Sequence, residues 1–150
     1  MERVRVLLAD DQQEMLDTIS RLMDGKFEII GAVADGQCVL EAASRMAPDL
    51  VVLDISMPIM NGLQAAARLQ ESGSQAKVVI LTVHNDPDYL QAAFSAGARA
   101  YVLKSRLGTD LLPAIQEVLH GRTFVSPSEK NLESGREFPS NVFSSGLKAR

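Results

Sequence analysis

The chain has 150 residues, 46% of them hydrophobic and 23% charged, which suits one well-buried core and leaves little room for a second. A net charge of -4 and an isoelectric point near 5.1, with Lys and Arg scattered, give no basic footprint for a nucleic-acid backbone and argue against direct DNA binding by this chain. The lone cysteine, Cys38, cannot form an internal disulfide, no apolar stretch is long enough to cross a bilayer, and Glu2, Asp10, Asp11, Glu14 and Asp17 do not suit a signal peptide. The expectation is a cytoplasmic protein with no membrane partner, in which Cys38 packs as a small hydrophobe.

The first apolar run, Val4-Arg5-Val6-Leu7-Leu8-Ala9, predicts a strand near residues 3–9 and ends on two acids, Asp10 and Asp11. Met15, Ile19, Leu22 and Met23 then recur at helical spacing, and Gly25 closes that helix. A second strand is expected near 27–33, followed by a helix whose inner stripe is Val39, Leu40, Ala43 and Met46 and which Pro48 and Asp49 break. Leu50-Val51-Val52-Leu53 carries the chain to Asp54, and the loop Ile55-Ser56-Met57-Pro58-Ile59-Met60-Asn61-Gly62 cannot continue that strand. Leu63, Ala66 and Leu69 mark a third helix, and a fourth strand near 77–82 ends on Thr82. Pro87 opens a fourth helix with Leu90, Ala93, Phe94 and Gly97 on its inner side. The fifth strand, near 100–103, contains Tyr101 and ends on Lys104, and the fifth helix carries Leu111, Leu112, Ile115, Val118 and Leu119 before Gly121.

Short apolar runs alternating with amphipathic helices are the sign of βαβ units, and runs that are continuously apolar favour a parallel sheet covered on both faces. The predicted fold is α/β, a doubly wound five-stranded parallel sheet with five helices. Residues 3–121 form this domain. Residues 122–150 turn rich in Ser, Gly, Asn and charge and read as a polar tail or linker, too short for a helix-turn-helix module. In such a sheet the carboxyl ends of the strands share one edge, the usual place for chemistry. Asp10, Asp11, Asp54 and Lys104 would converge there.

Each residue also has a plainer reading. Asp11 could cap the first helix, Asp54 could be a turn carboxylate, Lys104 a snorkelling surface lysine, Thr82 a β-branched strand residue and Tyr101 half-buried packing. Their joint appearance at successive strand ends favours a common site, since separate explanations would have to coincide. His120, near the end of the fifth helix, reads as favourable pairing with the helix dipole.

Leu8-Ala9-Asp10-Asp11, Asp54-Ile55-Ser56-Met57-Pro58-Ile59-Met60-Asn61-Gly62, Leu81-Thr82 and Tyr101-Val102-Leu103-Lys104 together resemble the receiver domain of bacterial two-component response regulators, over about residues 3–121. Leu81-Thr82-Val83-His84, Gly97 through Lys104 and His120-Gly121-Arg122 look most like the NarL/FixJ branch, a flavodoxin-like receiver fold often followed by a LuxR-type helix-turn-helix, which these 150 residues lack. Either the protein is a receiver alone or the chain was cut from a longer regulator.

Carboxylates are hard ligands suited to Mg²⁺, so Asp11 and Asp54 are the first choices as direct ligands. The resemblance adds the backbone carbonyl of Ser56 as a third and implies that Asp10 acts through water. A divalent cation and Lys104 would together offset the mutual repulsion of the acids. The resemblance further implies that Asp54 accepts a phosphoryl group from a sensor histidine kinase or phosphotransfer protein. Thr82 and Tyr101 would switch an output face running from the fourth to the fifth helix, where a homodimer could form. Ser56 and His84 would tune the lifetime of the phosphate. The expected protein is a phosphoacceptor rather than an enzyme, controlling transcription in a full-length regulator. The alternatives are a receiver-only relay or docking module, and an aspartyl-phosphate phosphohydrolase of the haloacid-dehalogenase-like kind. Ser56 stands where those enzymes place a second acid.

Overall fold

A computed structural model describes residues 3–128. The chain runs β1 (Arg5–Ala9), α1 (Gln13–Met23), β2 (Glu28–Val33), α2 (Gly36–Met46), β3 (Leu50–Asp54), α3 (Gly62–Glu71), β4 (Lys77–Thr82), α4 (Pro87–Ser95), β5 (Ala100–Leu103), a 3₁₀ turn (Lys104–Arg106), α5 (Leu107–Leu119) and β6 (Phe124–Val125). The strands form one sheet in the order β2-β1-β3-β4-β5-β6, and every pairing is parallel.

Alternation along each strand divides the core in two. Leu7, Val51, Leu53, Ile80 and Tyr101 point to one face, where Val39, Ala65, Ala66, Leu90 and Ala93 bring α2, α3 and α4 against them. Val6, Leu8, Val52, Leu81 and Val102 point to the other, covered by Leu16 and Ile19 of α1 and by Leu111 and Ile115 of α5. Both faces are therefore dry, which is why the central strands read as unbroken apolar runs. Among the described residues no helix is long and apolar enough to cross a membrane.

The helix starts are set by local chemistry. Asp35 accepts the backbone N–H of Cys38 at the head of α2. Asn61 and Gln64 exchange side-chain and backbone hydrogen bonds in a capping box at α3. Pro87 opens α4 where its missing N–H costs nothing. Gly62 is required by crowding, because a Cβ there would run into the backbone carbonyl of Asp54. Its N–H donates to the Ile55 carbonyl at 2.8 Å, folding the loop after β3 tightly back on the strand end.

Three expectations need correction. The sheet has six strands rather than five, because Phe124 and Val125 pair with Ala100 and Tyr101. The polar tail expected from residue 122 does not begin there, since Thr123, Phe124, Val125 and Ser126 are buried. Phe124 and Val125 supply the apolar contact that draws this segment along β5. The rest of that expectation, residues 129–150, lies outside the described residues. Cys38 is only half-buried, with its thiol 3.5 Å from Asp35 Oδ2, because it sits in the first turn of α2 beside the cap and not on the inner stripe.

Candidate functional site

The sheet order places β1 between β2 and β3, with α1 carrying the chain from β1 to β2 on one face and α2 carrying it from β2 to β3 on the other. That reversal opens a crevice at the strands' carboxyl ends, where ligands of open α/β sheets bind. Asp10 follows β1 directly and Asp54 closes β3. One carboxylate oxygen from each of Asp10, Asp11 and Asp54 lies within 4.8 Å of the other two. Asp10 and Asp54 are buried and Asp11 is exposed, so the cluster has a dry floor and a wet lip. Asp11 does not cap α1. The N-cap is Gln12, with no side-chain hydrogen bond, and Asp10 Oδ1 accepts the Gln12 N–H at 2.9 Å.

Lys104 enters from the end of β5. Its Nζ lies 2.9 Å from Asp10 Oδ2 and 3.4 Å from Asp54 Oδ2. Burial, followed by the charge of Asp10, raises the Asp54 carboxyl above its ordinary range, while Lys104 and the Ser56 backbone N–H pull it down. One ammonium does not neutralise this pocket. Buried Asp10 Oδ2 has Lys104 beside it yet no partner in hydrogen-bond geometry. Three convergent carboxylates with an unsatisfied oxygen are the donor set that a hard divalent cation takes, and the residues present fit one.

Thr82 and Tyr101 meet on a single residue, His84. Thr82 Oγ1 accepts the backbone N–H of His84 at 3.1 Å, and the Tyr101 hydroxyl donates to the backbone carbonyl of His84 at 2.7 Å. Both side chains are wholly buried. Accepting from His84 leaves the Thr82 hydroxyl hydrogen available to another acceptor. The His84 ring stacks on Tyr89 with centroids 4.1 Å apart, and its Nε2 lies 3.2 Å from Ser56 Oγ. The loops after β3 and β4 are thus bridged beside Asp54. His120 Nδ1 lies 2.7 Å from the Gln116 carbonyl, in keeping with a role at the end of α5.

The structure brings Asp10, Asp11, Asp54 and Lys104 into one cluster, with Ser56, Thr82, His84 and Tyr101 around it. Two residues stand out that sequence reasoning passed over. Ile59 is the centre of a three-residue turn closed by Met60 N–H to Pro58 O at 2.7 Å. It has φ 72° and is 81% exposed. Asp110 is a buried acid on α5, and its signal was readable, because it falls three residues after Leu107 on the apolar stripe.

A model of the response regulator receiver domain matches residues 6–116. The chain is 35% identical over 126 residues to the transcriptional regulatory protein YvfU of Bacillus subtilis, covering 83% of this chain and 63% of that protein. It is 32% identical over 126 residues to the transcriptional regulatory protein DesR of the same organism, covering 83% and 62%. The chain therefore spans less than two thirds of the length of these relatives. Among solved structures, the signal receiver domain of the putative response regulator NarL from Mycobacterium tuberculosis superposes with a TM-score of 0.77 at 29% identity, covering 81% of this chain and all of that one.

Proposed function

The chain belongs to the response regulator receiver domain family, and on that premise we propose that Asp54 accepts a phosphoryl group from the phosphohistidine of a sensor kinase or phosphotransfer protein. The observation that carries this reading is the convergence of three carboxylates within 4.8 Å on a lysine 3.4 Å from Asp54. An Asp54 oxygen attacks phosphorus in line, forming the P–O bond as the P–N bond to the donor imidazole breaks and its electron pair returns to the ring nitrogen. Asp54 supplies the nucleophile, and Lys104 places a positive charge against the equatorial phosphoryl oxygens. Asp11, Asp54 and the Ser56 carbonyl would hold Mg²⁺, with Asp10 acting through water. Bound there, the cation would offset the acids and the charge developing in transfer. The product is a mixed anhydride on Asp54.

The phosphoryl oxygens would draw the hydroxyl hydrogen of Thr82. The same threonine holds the His84 N–H, and Tyr101 holds the His84 carbonyl, so any movement of Thr82 reaches β5 through one residue. Ser56 and His84, bridged across the entrance, would set how easily water reaches the anhydride. The output face would run from α4 to α5, with β6 lying on the outer edge of β5, so a homodimer or other partner using that face meets β6 as well. The domain is read as extending through Ser126, as a cytoplasmic phosphoacceptor and not an enzyme that turns over a substrate. In a longer regulator it would govern transcription.

The test is incubation of the 150-residue chain with Mg²⁺ and a small phosphoramidate or acyl phosphate. The expected result is a single added phosphate, stable in acid and labile in base, that chelation prevents and Asp54→Asn abolishes. Phosphate on another residue, or none, would overturn the reading. Sustained hydrolysis of a phosphomonoester would point instead to a phosphohydrolase.

A further inference from the structure

Lys104 is the first residue of the 3₁₀ turn Lys104–Arg106, and both ends of that turn are tied to one buried hydroxyl lying outside the site. On the near side, the Leu103 backbone N–H donates to Ser126 Oγ at 3.1 Å. On the far side, Arg106 grips Asp110 at two points, Nε to Oδ2 at 2.7 Å and Nη2 to Oδ1 at 3.3 Å. Ser126 joins the two by donating its hydroxyl to Asp110 Oδ2 at 2.7 Å. Its own N–H donates to the Tyr101 carbonyl at 2.8 Å. Ser126 is 0% and Asp110 4% exposed.

A buried carboxylate and a buried hydroxyl are not the means by which a core gains most stability, because apolar side chains of similar size often serve as well. A fully satisfied polar network fixes one geometry instead. The geometry fixed here is that of residues 103–106, which flank the lysine of the phosphoacceptor cluster. Lys104 has a flexible four-carbon stem, so the placement of its backbone decides whether the ammonium can reach two carboxylates at once. We propose that Ser126, together with Asp110, is a positioning residue for Lys104, so that the segment after α5 is part of the phosphotransfer machinery. The inference rests on the reading of Lys104 given above. Ser126 makes its hydrogen bonds to Leu103, Asp110 and Tyr101 and none to Asp10, Asp11 or Asp54, so it acts through the turn alone.

The experiment compares the parent chain with Ser126→Ala, Lys104→Met and the double variant. Phosphorylation by a small phosphoramidate with Mg²⁺ is followed at a temperature where circular dichroism shows all four folded. Ser126→Ala is expected to react roughly tenfold more slowly, because displacing a charge-stabilising group by a fraction of an ångström weakens it without removing it. In the Lys104→Met background the same substitution should change nothing further, a non-additivity that a general loss of stability would not produce. Without metal, the Leu103 amide should exchange faster in Ser126→Ala, and the amide resonances of Lys104 and Arg106 should move.

Asp110→Asn, which keeps the shape of the side chain but weakens its hold on Arg106, serves as the second variant. It should show a smaller slowing that also vanishes in Lys104→Met. A parental rate in Ser126→Ala, or a slowing that persists undiminished without the lysine, would overturn the proposal. A parental rate in Lys104→Met would overturn the reading of Lys104 itself and this inference with it, and is distinguished by appearing in that single variant.

Discussion

Lys104 holds Asp10 across the crevice, with Nζ 2.9 Å from Oδ2, and the lysine side chain is 11% exposed while the aspartate is 1% exposed. Two strands far apart in sequence, β1 and β5, are joined by this pair over the ends of β3 and β4. Removing one member of a buried pair strands the other as an uncompensated charge. Lys104→Met is therefore expected to destabilise the metal-free chain by about 3 kcal/mol. Urea unfolding in the presence of a chelator measures it. The deficit should shrink in excess Mg²⁺, because a cation held by the same acids restores the missing positive charge.

The carboxyl of Asp54 makes stability depend on pH in an unusual direction. Burial and Asp10 raise its pKa above the ordinary value of 3.8, so the folded chain binds this proton more tightly than the unfolded chain does. Stability from such a group is complete below the unfolded value and is lost as pH rises through the folded value. In chelator, thermal unfolding should thus show a component that weakens as pH rises from about 3.8 through that raised value. Asp54→Asn should lack this component and melt higher than the parent chain above it. Added Mg²⁺ should raise the melting temperature of the parent chain at neutral pH and do so less for the variant. A parent chain that gains stability across that window, with Asp54→Asn behaving identically, would contradict the assignment.

The alternation of apolar runs and amphipathic stripes was enough to locate five strands and five helices, because each central strand is dry on both faces and each helix buries one stripe. The ends of β1, β3 and β5 could be read from where apolar runs stop on Asp10, Asp54 and Lys104, and the convergence of those residues follows from parallel topology alone. The sixth strand was not legible in the same way. Two residues, Phe124 and Val125, are too short a run to show a period, and the Ser and charge around them resemble a linker. Pairwise geometry was also hidden. Periodicity says nothing of Thr82 and Tyr101 gripping opposite sides of His84, and nothing of Asp110 being reached by Ser126 from beyond α5. The strained turn at Ile59 was invisible because the residue type there gives no hint of a positive φ.

The grip on His84 can be loosened from one side. Tyr101→Phe keeps the ring that fills the space beside α4 and removes only the donor to the His84 carbonyl. The loss should be about 1 kcal/mol, the net value of one such hydrogen bond. Hydrogen exchange should locate it, with the amides of Val83, His84 and Asn85 exchanging faster while those of β1 and β3 are unchanged. Thr82→Ala should loosen the same residue through its N–H. Because both variants act on one residue, their combined effect should fall short of the sum.

Ile59 provides a test of strain at the lip of the site. A β-branched residue with φ 72° pays the left-handed penalty of roughly 1–2 kcal/mol that glycine escapes. With 81% of its surface exposed, the side chain recovers little by burial. Glycine would remove the penalty but bring its own extra unfolded-state entropy, roughly 0.5–1 kcal/mol. The balance favours Ile59→Gly by about 0.5–1 kcal/mol, read as a rise in the urea midpoint with an unchanged slope. Ile59→Ala keeps its Cβ and should gain less than glycine. If Ile59→Gly were instead less stable than the parent chain, the isoleucine would have to be held by contacts that its exposure does not reveal, and the turn would not be strained at that residue.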